Sequence, residues 1–403
     1  MLDRRQAGLL PALTGLRFVA AMAIFALHFL PEPPASWAPA WQHTYKTLRD
    51  AGVSGVAMFF ALSGFILTHA HLDMRRDRAS VLRFYVNRLA RIYPVYLLGM
   101  LWFAPFALYH RFSTETASLA WTKILVGWAV SLPLVQTWFH PMLALSWNGP
   151  GWSLSVEFVF YLLFPLMLPA VRSLRPAGLG VLMAGALALS LFWSWLMPRW
   201  LGAWPHAAAL VDFGPLAHLP TFVFGMALGA WFHRRPQVGW LSHLLAPMGA
   251  LLYLVLALAI PEPGHVLHNT LMLPAFGLIF MGLAKGGLGT AILSNRYMVK
   301  LGEASYGLYI LQFGMAMTFA WLVSGLRVQD YWGDFNVHLV RDFPFFAGLV
   351  AFCVVLSLLS HRWVEAPGRE RLRAALLRRW LPVASAPAEA GGQSEPERWR
   401  RVA

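Results

Sequence analysis

Long apolar stretches divide this sequence almost from end to end, and they constrain its fold more than any other feature. Each is near the 20 residues or so that an α-helix needs to cross the hydrocarbon core of a bilayer. Eleven candidates lie at 12–30, 52–71, 92–110, 120–138, 151–171, 177–198, 207–232, 242–260, 269–288, 304–326 and 343–361. Charged residues are only 12% of the chain, which excludes a soluble enzyme, a disordered protein and a disulfide scaffold. The sequence therefore predicts an all-α, polytopic transmembrane helix bundle.

The basic residues between these stretches predict how the chain crosses the membrane. Clusters occur at Arg4/Arg5, Arg75–Arg91, Arg172/Arg175, Arg234/Arg235, Lys285/Arg296/Lys300 and from Arg362 onward. All of them fall on one side if 120–138, which contains Lys123, Pro133 and Gln136, is re-entrant or interfacial. We therefore expect about ten spans with both termini in the cytoplasm. Orientation, and not nucleic-acid binding, accounts for most of the net charge of +14.

The chain reads as one membrane domain, 1–375, followed by a short tail. From about Leu381 onward it is rich in Ala, Pro, Glu and Gly, a composition that buries little apolar surface. We expect 376–403 to be a disordered cytoplasmic tail. The apolar start, 12–30, runs on without a clear cleavage site and is interpreted as a retained first span.

Ionisable groups inside apolar segments point to function, because each is costly unless a partner or a cavity supports it. Arg17 and His28 are eleven positions apart in the first span. Eleven residues turn a helix about 20° past three full turns and rise about 16 Å, so the two side chains share a face. The alternative is that Arg17 is an interfacial anchor and His28 a packing residue.

Glu157 is a carboxylate seven residues into the stretch that begins at 151, on one helical face with Ser153 and Tyr161. With ten crossings it reaches a depth similar to that of His28. A histidine beside a buried carboxylate is a general base whose tautomer the acid holds, so we expect these two residues to pair. The alternative for Glu157 is a polar clamp between helices.

An arginine patch, Arg83, Arg88 and Arg91, lies at the entry of the third span. Guanidinium groups bind phosphate bidentately, so the patch favours a polyphosphate ligand; positive-inside bias is the alternative explanation. The sequence has no G-x-x-x-x-G-K-[ST] loop, C-x-x-C or H-E-x-x-H motif, which argues against an ATP motor and predicts no metal site.

Several stretches in order resemble the signatures of the membrane acyltransferase-3 family, the bacterial multi-pass O-acyltransferases, in a stand-alone form. They are LTGLRFVAAMAIFALHF, GVSGVAMFFALSGFIL, RFYVNRLARIYPVYLL, WSLSVEFVFYLLFPLML, LGEASYGLYILQ and HRWVEAPGR. The last two carry Ser305, Tyr306, Tyr309, Glu365 and Pro367. The similarity runs from about residue 11 to 375, and its specificity lies in the order of six motifs.

This resemblance implies transfer of an acyl group, commonly acetyl, from acyl-CoA as co-substrate to a hydroxyl of a carbohydrate or glycolipid, such as an exopolysaccharide. It also implies a site in the bacterial cytoplasmic membrane, with lipid and the acceptor as partners and no nucleic acid. The expected catalytic residues are His28, Glu157 and Arg17. The expected donor-binding residues are Arg88, Arg91, Arg83 and Arg17. The expected acceptor-contacting residues are Ser153, Trp152 and Tyr309.

Two other classes fit a polytopic bundle with buried polar groups. A secondary transporter, such as an exporter of a glycan precursor, would move unmodified solute without thioester dependence. A structural membrane subunit is disfavoured by the charged face of the first span. The tryptophans near the outer ends, Trp37, Trp41, Trp147, Trp200 and Trp204, fit a membrane-interface belt better than sugar platforms.

Overall fold

The computed structural model describes residues 10–138, 147–201, 212–234, 240, 242–260, 265–324 and 342–381, and every regular element in them is helical. The first helices are α1 Pro11–Phe29, α2 Pro39–Asp50, α3 Ser54–His71, α4 Arg78–Thr114, α5 Ala117–Ser131, α6 Gly151–Ser173, α7 Pro176–Leu201 and α8 Pro215–Arg234. The later helices are α9 Ser242–Ala259, α10 His265–Leu271, α11 Leu273–Ala284, α12 Thr290–Leu293, α13 Arg296–Ser324, α14 Phe343–Ser360 and α15 Ala366–Trp380. Short turns of other helical types lie at Ala51–Val53, Gln136–Trp138 and His361–Glu365.

Within these ranges, nine helical segments are long and apolar enough to cross a membrane. A further pair, α10 and α11, is separated by a single residue and covers most of the stretch expected at 269–288. The all-α polytopic bundle is thus confirmed. The weak stretch at 120–138 contains α5, whose 15 residues fall short of the 20 or so that a crossing needs.

Some sequence features lie outside the described residues: Arg4, Arg5, Trp204, Arg235, parts of 207–232 and 304–326, and the tail from 382. The tail was expected to begin at 376. Residues 376–380 instead complete the last turns of α15, which ends at Trp380.

Local chemistry explains where several helices begin. Pro11 stands in the first turn of α1, where a missing N–H costs nothing. Asp77 caps α4 by accepting a hydrogen bond from the Ser80 backbone N–H at 2.9 Å, and Asp342 caps α14 through the Phe345 N–H at 2.7 Å. Helix α4 also continues through the prolines at 94 and 105, which membrane helices tolerate when their neighbours re-satisfy the freed carbonyls.

Small residues bring α3 and α8 into backbone contact. A Cβ added at Gly225 would collide with the Ala61 carbonyl oxygen, and one at Gly229 with the Phe65 carbonyl oxygen. The two glycines form a G-x-x-x-G pattern, which lets membrane helices approach closely and gain van der Waals contact. This packing holds α3, one wall of the site described below, against the rest of the bundle.

A second close approach fixes α1 against α12 and α13. A Cβ at Gly302 would collide with the Thr14 carbonyl oxygen, and one at Gly15 with the Leu293 carbonyl oxygen. Thr14 and Gly15 lie one turn before Arg17. The contact therefore fixes the part of α1 that carries this arginine inside the bundle.

Replacing Gly225 by leucine should disrupt the α3–α8 contact, because the backbone of α3 occupies the space of the new side chain. Overpacking of this kind costs about 1–3 kcal/mol or more. The measurement is the thermal midpoint and the monodisperse fraction of the detergent-purified protein. The matched control is Gly185→Leu in α7, where an added Cβ has no atom within 4 Å. Equal stability of both variants would contradict the packing account.

Candidate active site

A cavity of about 560 Å³ lies between α1, α3, α4, α6 and α13, and His361 and Arg369 also line it. The side formed by α3 is mostly apolar. Its apolar residues are Val56, Phe59, Phe60, Leu62, Ile66 and Leu67, and the same helix also contributes Ser63 and His69. The other helices supply most of the charged and hydrogen-bonding lining. The cavity is therefore amphipathic, as a ligand with both an anionic and an apolar part requires.

Arginines dominate the charged lining. Arg17, Arg88, Arg91 and Arg369 face two carboxylates, Glu157 and Glu303. Arg17 is within electrostatic reach of Glu157, Glu365 and Arg91. A surplus of guanidinium groups in a low-dielectric interior attracts anions strongly, because burial weakens screening.

Arg88 is the most enclosed of these cations, with 8% of its surface exposed. Its guanidinium carbon lies 6.0 Å from the centre of the Phe84 ring and 5.8 Å from that of Tyr161. The Nε of Arg88 has no hydrogen-bond partner among the described residues. A buried donor left in this state costs free energy unless a ligand satisfies it.

Arg91 is held from behind by a carboxylate. Its Nη1 lies 3.4 Å from Oε1 of Glu365, and Nδ1 of His361 lies 3.3 Å from Oε2 of the same residue. Glu365 is fully buried. Arg91 and His361 both line the cavity, so this carboxylate links two of its walls.

Glu157 also lines the cavity and accepts two hydrogen bonds on a single oxygen. Ser63 Oγ donates at 3.1 Å and Tyr161 OH at 2.5 Å, both to Oε1. Tyr309 OH donates to Ser153 Oγ at 2.9 Å nearby. Ser153, Glu157 and Tyr161 all line the cavity, in agreement with the helical face that their spacing predicts.

The structure does not bring His28 to this cavity. The last α1 residue that lines the cavity is Arg17. His28 instead packs against Phe313 and Phe29, at ring-centre distances of 5.1 and 6.1 Å. The expected pairing of His28 with Glu157 is absent, because the hydrogen bonds of this carboxylate in the described structure come from Ser63 and Tyr161.

The physical reason is the packing of residues 52–55 on α1. A Cβ at Gly52 would collide with the Ala23 carbonyl oxygen, and one at Gly55 would come within 2.7 Å of the Ile24 side chain. This segment closes the face of α1 between Arg17 and His28. The distance between the cavity and His28 is nevertheless short along α13. Tyr309 lines the cavity, and Phe313, about 6 Å or one helical turn further on, contacts His28.

Two other expected residues also lie outside the cavity lining. Arg83 is exposed on α4, because five residues rotate it by about 140° from Arg88. Trp152 packs against Phe213 and His218, with ring-centre distances of 4.9 and 5.5 Å. Among the expected residues, the cavity thus brings together Arg17, Arg88, Arg91, Ser153, Glu157 and Tyr309.

Comparison with known proteins identifies the fold family that carries this site. The model of an acyltransferase domain, acyltransferase-3, matches residues 10–362. The chain belongs to the acyltransferase-3 family. The match covers α1 to α14, and so all of the cavity lining except Arg369 on α15, and it makes this protein an acyltransferase.

Among the curated relatives of this acyltransferase are proteins that are themselves named as acyltransferases. Acyltransferase MdmB of Streptomyces mycarofaciens is 30% identical, over 94% of this chain and 95% of the relative. Nodulation protein 10 of Rhizobium leguminosarum bv. viciae is 26% identical, over 82% of this chain and 85% of the relative. A Staphylococcus aureus protein assigned as an O-acetyltransferase is 23% identical, over 93% of this chain and 59% of its own length. No solved structure matches significantly.

Several polar cavity residues of this acyltransferase were not singled out from the sequence for the site. They include Ser63, His69, Glu303, His361 and Arg369. Ser63 and Glu303 lie on helices whose sequences carry no charge pattern pointing to a site. His361 and Arg369, however, flank Glu365 in the HRWVEAPGR motif, and the i, i+4 spacing of these three residues is a signal that the sequence does contain.

Variants of Arg83 and Arg88 test whether the donor binds in the cavity or on the arginine patch that the sequence predicts. We expect Arg88→Ala to raise the KM for acyl-CoA at least about tenfold, since a charge-assisted contact is lost, whereas Arg83→Ala leaves it within about twofold. The measurement is the release of free CoA by purified enzyme at varied donor concentration. An equal rise of the KM in both variants would mean that the donor binds on the outer patch and not in the cavity.

Proposed function

We propose that this protein is an integral-membrane O-acyltransferase that binds acyl-CoA in the cationic cavity and transfers the acyl group to a hydroxyl of a carbohydrate or glycolipid. The observation that carries the proposal is the amphipathic cavity itself. Guanidinium groups line part of a space that also borders the mostly apolar face of α3. Acyl-CoA has the matching chemistry, with phosphates at one end and a flexible thioester arm at the other.

The basic residues support a donor that enters from the cytoplasm. In a ten-span arrangement, the ends of α1, α3, α4 and α15 nearest the arginines share the side that carries the basic clusters. Acyl-CoA is a cytoplasmic metabolite, so its nucleotide would meet Arg88, Arg91 and Arg369 first. The thioester would then lie further in, towards Glu157 and Tyr309.

The reaction requires a group that accepts the acceptor's hydroxyl proton. We assign this role to His28, whose half-buried ring packs on Phe313 and lies one helical turn beyond the cavity. The hydroxyl oxygen attacks the thioester carbonyl carbon, forming the C–O bond of an ester while the C–S bond breaks. His28 takes the hydroxyl proton and returns it to the thiolate, which releases free CoA. An acyl-histidine intermediate gives the same overall balance.

Arg17 and Glu157 have supporting roles in this proposal. Arg17 lines the donor path and balances negative charge that develops on the thioester oxygen, since it projects into the cavity from the same helix face as His28. Glu157 orders Ser63 and Tyr161 through the two hydrogen bonds that it accepts. Ser153 and Tyr309 also line the cavity and are hydrogen-bonded to each other.

The nature of the acceptor rests on the family and on the relatives' names. The Staphylococcus aureus relative is named as an O-acetyltransferase, which supports an oxygen acceptor and an acetyl donor here. We propose the bacterial inner membrane as its location, with both termini in the cytoplasm. A surface carbohydrate or its lipid-linked form would then approach the His28 end, opposite to the donor.

Replacing His28 by alanine should reduce acyl transfer about 10²–10⁴-fold, the usual contribution of a general base, while the protein remains in the membrane. The measurement is free CoA released in the presence of membrane extract as the source of acceptor. The matched control is His43→Ala, because His43 is an exposed histidine on α2. Wild-type CoA release by the His28 variant would reject the assignment. Acceptor-independent movement of unmodified solute would favour a transporter instead.

A further inference from the structure

The segment that joins α14 to α15 is a single wide turn of π-helix, His361–Glu365. Its cause is in the sequence. Pro367 has no N–H and cannot bond to the carbonyl of Trp363, four residues earlier, so the regular α-helical ladder is interrupted here. Such π-helical turns inside longer helices occur often at functional sites.

Close packing against α4 fixes the position of this turn. A Cβ at Gly368 would come within 2.8 Å of the Pro94 side chain, so only glycine allows the two helices to approach in this way. Further along, Arg373 Nε donates to Asn87 Oδ1 at 2.8 Å. The two contacts hold the start of α15 beside the part of α4 that carries Arg88 and Arg91.

Glu365, at the end of the turn, is fully buried and lies outside the cavity lining. Its two carboxylate oxygens approach Arg91 and His361, one side chain each, at 3.4 and 3.3 Å. Neither oxygen makes a hydrogen bond with good geometry to a described residue. The attraction is therefore mainly between charges, and the N–H groups of the guanidinium remain available to a ligand.

We infer that Glu365 is a positioning residue that orients Arg91, together with His361, towards the anionic part of the donor. This inference rests on the proposed function and deepens it. Buried carboxylates that hold a guanidinium in place reduce the entropy lost when that guanidinium binds a ligand. Glu365 itself touches no substrate, since Arg91 and His361 stand between it and the cavity.

Two effects of removing this carboxylate have opposite signs, which makes the inference testable. Glu365→Gln removes one negative charge next to an anion site, so the net charge there becomes more positive by one unit. If only the electrostatic field mattered, this change would strengthen polyanion binding. If Glu365 positions Arg91, the variant should instead bind the donor more weakly, because the guanidinium is no longer held.

The experiment is a double-mutant cycle on the purified full-length protein, with Glu365→Gln, Arg91→Ala and the double variant. We expect Glu365→Gln to raise the KM for acetyl-CoA about tenfold, with kcat changed less than about twofold, as for loss of one charge-assisted contact. The double variant should match Arg91→Ala alone, because the carboxylate acts through the arginine. The control is Glu370→Gln, which makes the same charge change at an exposed position on α15.

Thermal midpoints are measured for every variant, since a cation left unpaired in the interior can destabilise the fold. If Glu365→Gln does not fold, Glu365→Asp is used instead, because it keeps the charge but places it further from Arg91. The KM of this variant is expected to lie between those of wild type and Arg91→Ala. A lower or unchanged KM in the folded Glu365 variant, or effects that add in the double variant, would overturn the inference.

A second probe separates this inference from the donor assignment. Inorganic pyrophosphate carries the phosphate chemistry without the thioester, and its binding is measured by thermal shift across the same four proteins. The same non-additive pattern with pyrophosphate, but no use of acetyl-CoA, would reject the donor and keep the positioning role. Absence of binding of both probes to the wild-type protein would overturn the positioning role itself.

Discussion

The burial of guanidinium groups inside an apolar bundle is the constraint on which the rest of this structure depends. Arg88 is enclosed by aromatic rings, with one N–H unsatisfied, and Arg91 is balanced by a carboxylate that no solvent reaches. Charges in such surroundings are expensive and persist where they serve a function. The surplus of arginine over acid around the cavity makes an anionic ligand the natural partner of this interior.

Helix packing places these charges. The α3–α8 contact through Gly225 and the α1–α13 contact through Gly302 each remove the space of a side chain, so that backbones meet. Close approach at these points leaves a gap elsewhere, between α3 and the arginine-bearing faces of α1 and α4. The cavity follows from where small residues stand, and its charge follows from the few ionisable residues that the spans contain.

The charged and the hydroxyl-bearing parts of the cavity lining adjoin each other. Arg88 lies close to the ring of Tyr161, whose hydroxyl donates to Glu157, and Arg91 is held by the buried Glu365. His28 lies outside the cavity, against Phe313, one helical turn beyond Tyr309. Donor and acceptor would thus meet between the arginines and His28.

Periodicity within one helix was enough to predict much of this arrangement. The apolar stretches and the shared face of Ser153, Glu157 and Tyr161 follow from lengths and from 100° per residue. The same arithmetic puts Arg83 off the face of Arg88, although clustering in the sequence had grouped them.

Relations between helices could not be predicted in this way. Whether His28 reaches the cavity depends on how residues 52–55 pack on α1, and the partner of Arg91 is 274 positions away, at Glu365. Single-sequence patterns carry no information on such pairings. The predicted pairing of Glu157 with His28 was therefore wrong. The hydrogen bonds of Glu157 come from Ser63 and Tyr161.

The most direct test of the central claim is an experimental structure of the protein with a non-hydrolysable acyl-CoA analogue bound in a lipid nanodisc. We expect the phosphates within hydrogen-bonding distance of the Arg88 and Arg91 guanidinium groups, and the acyl end beside Glu157 and Tyr309. Phosphates bound on the exposed side of α4, with the space between α3 and the arginines filled by lipid or water, would contradict the account.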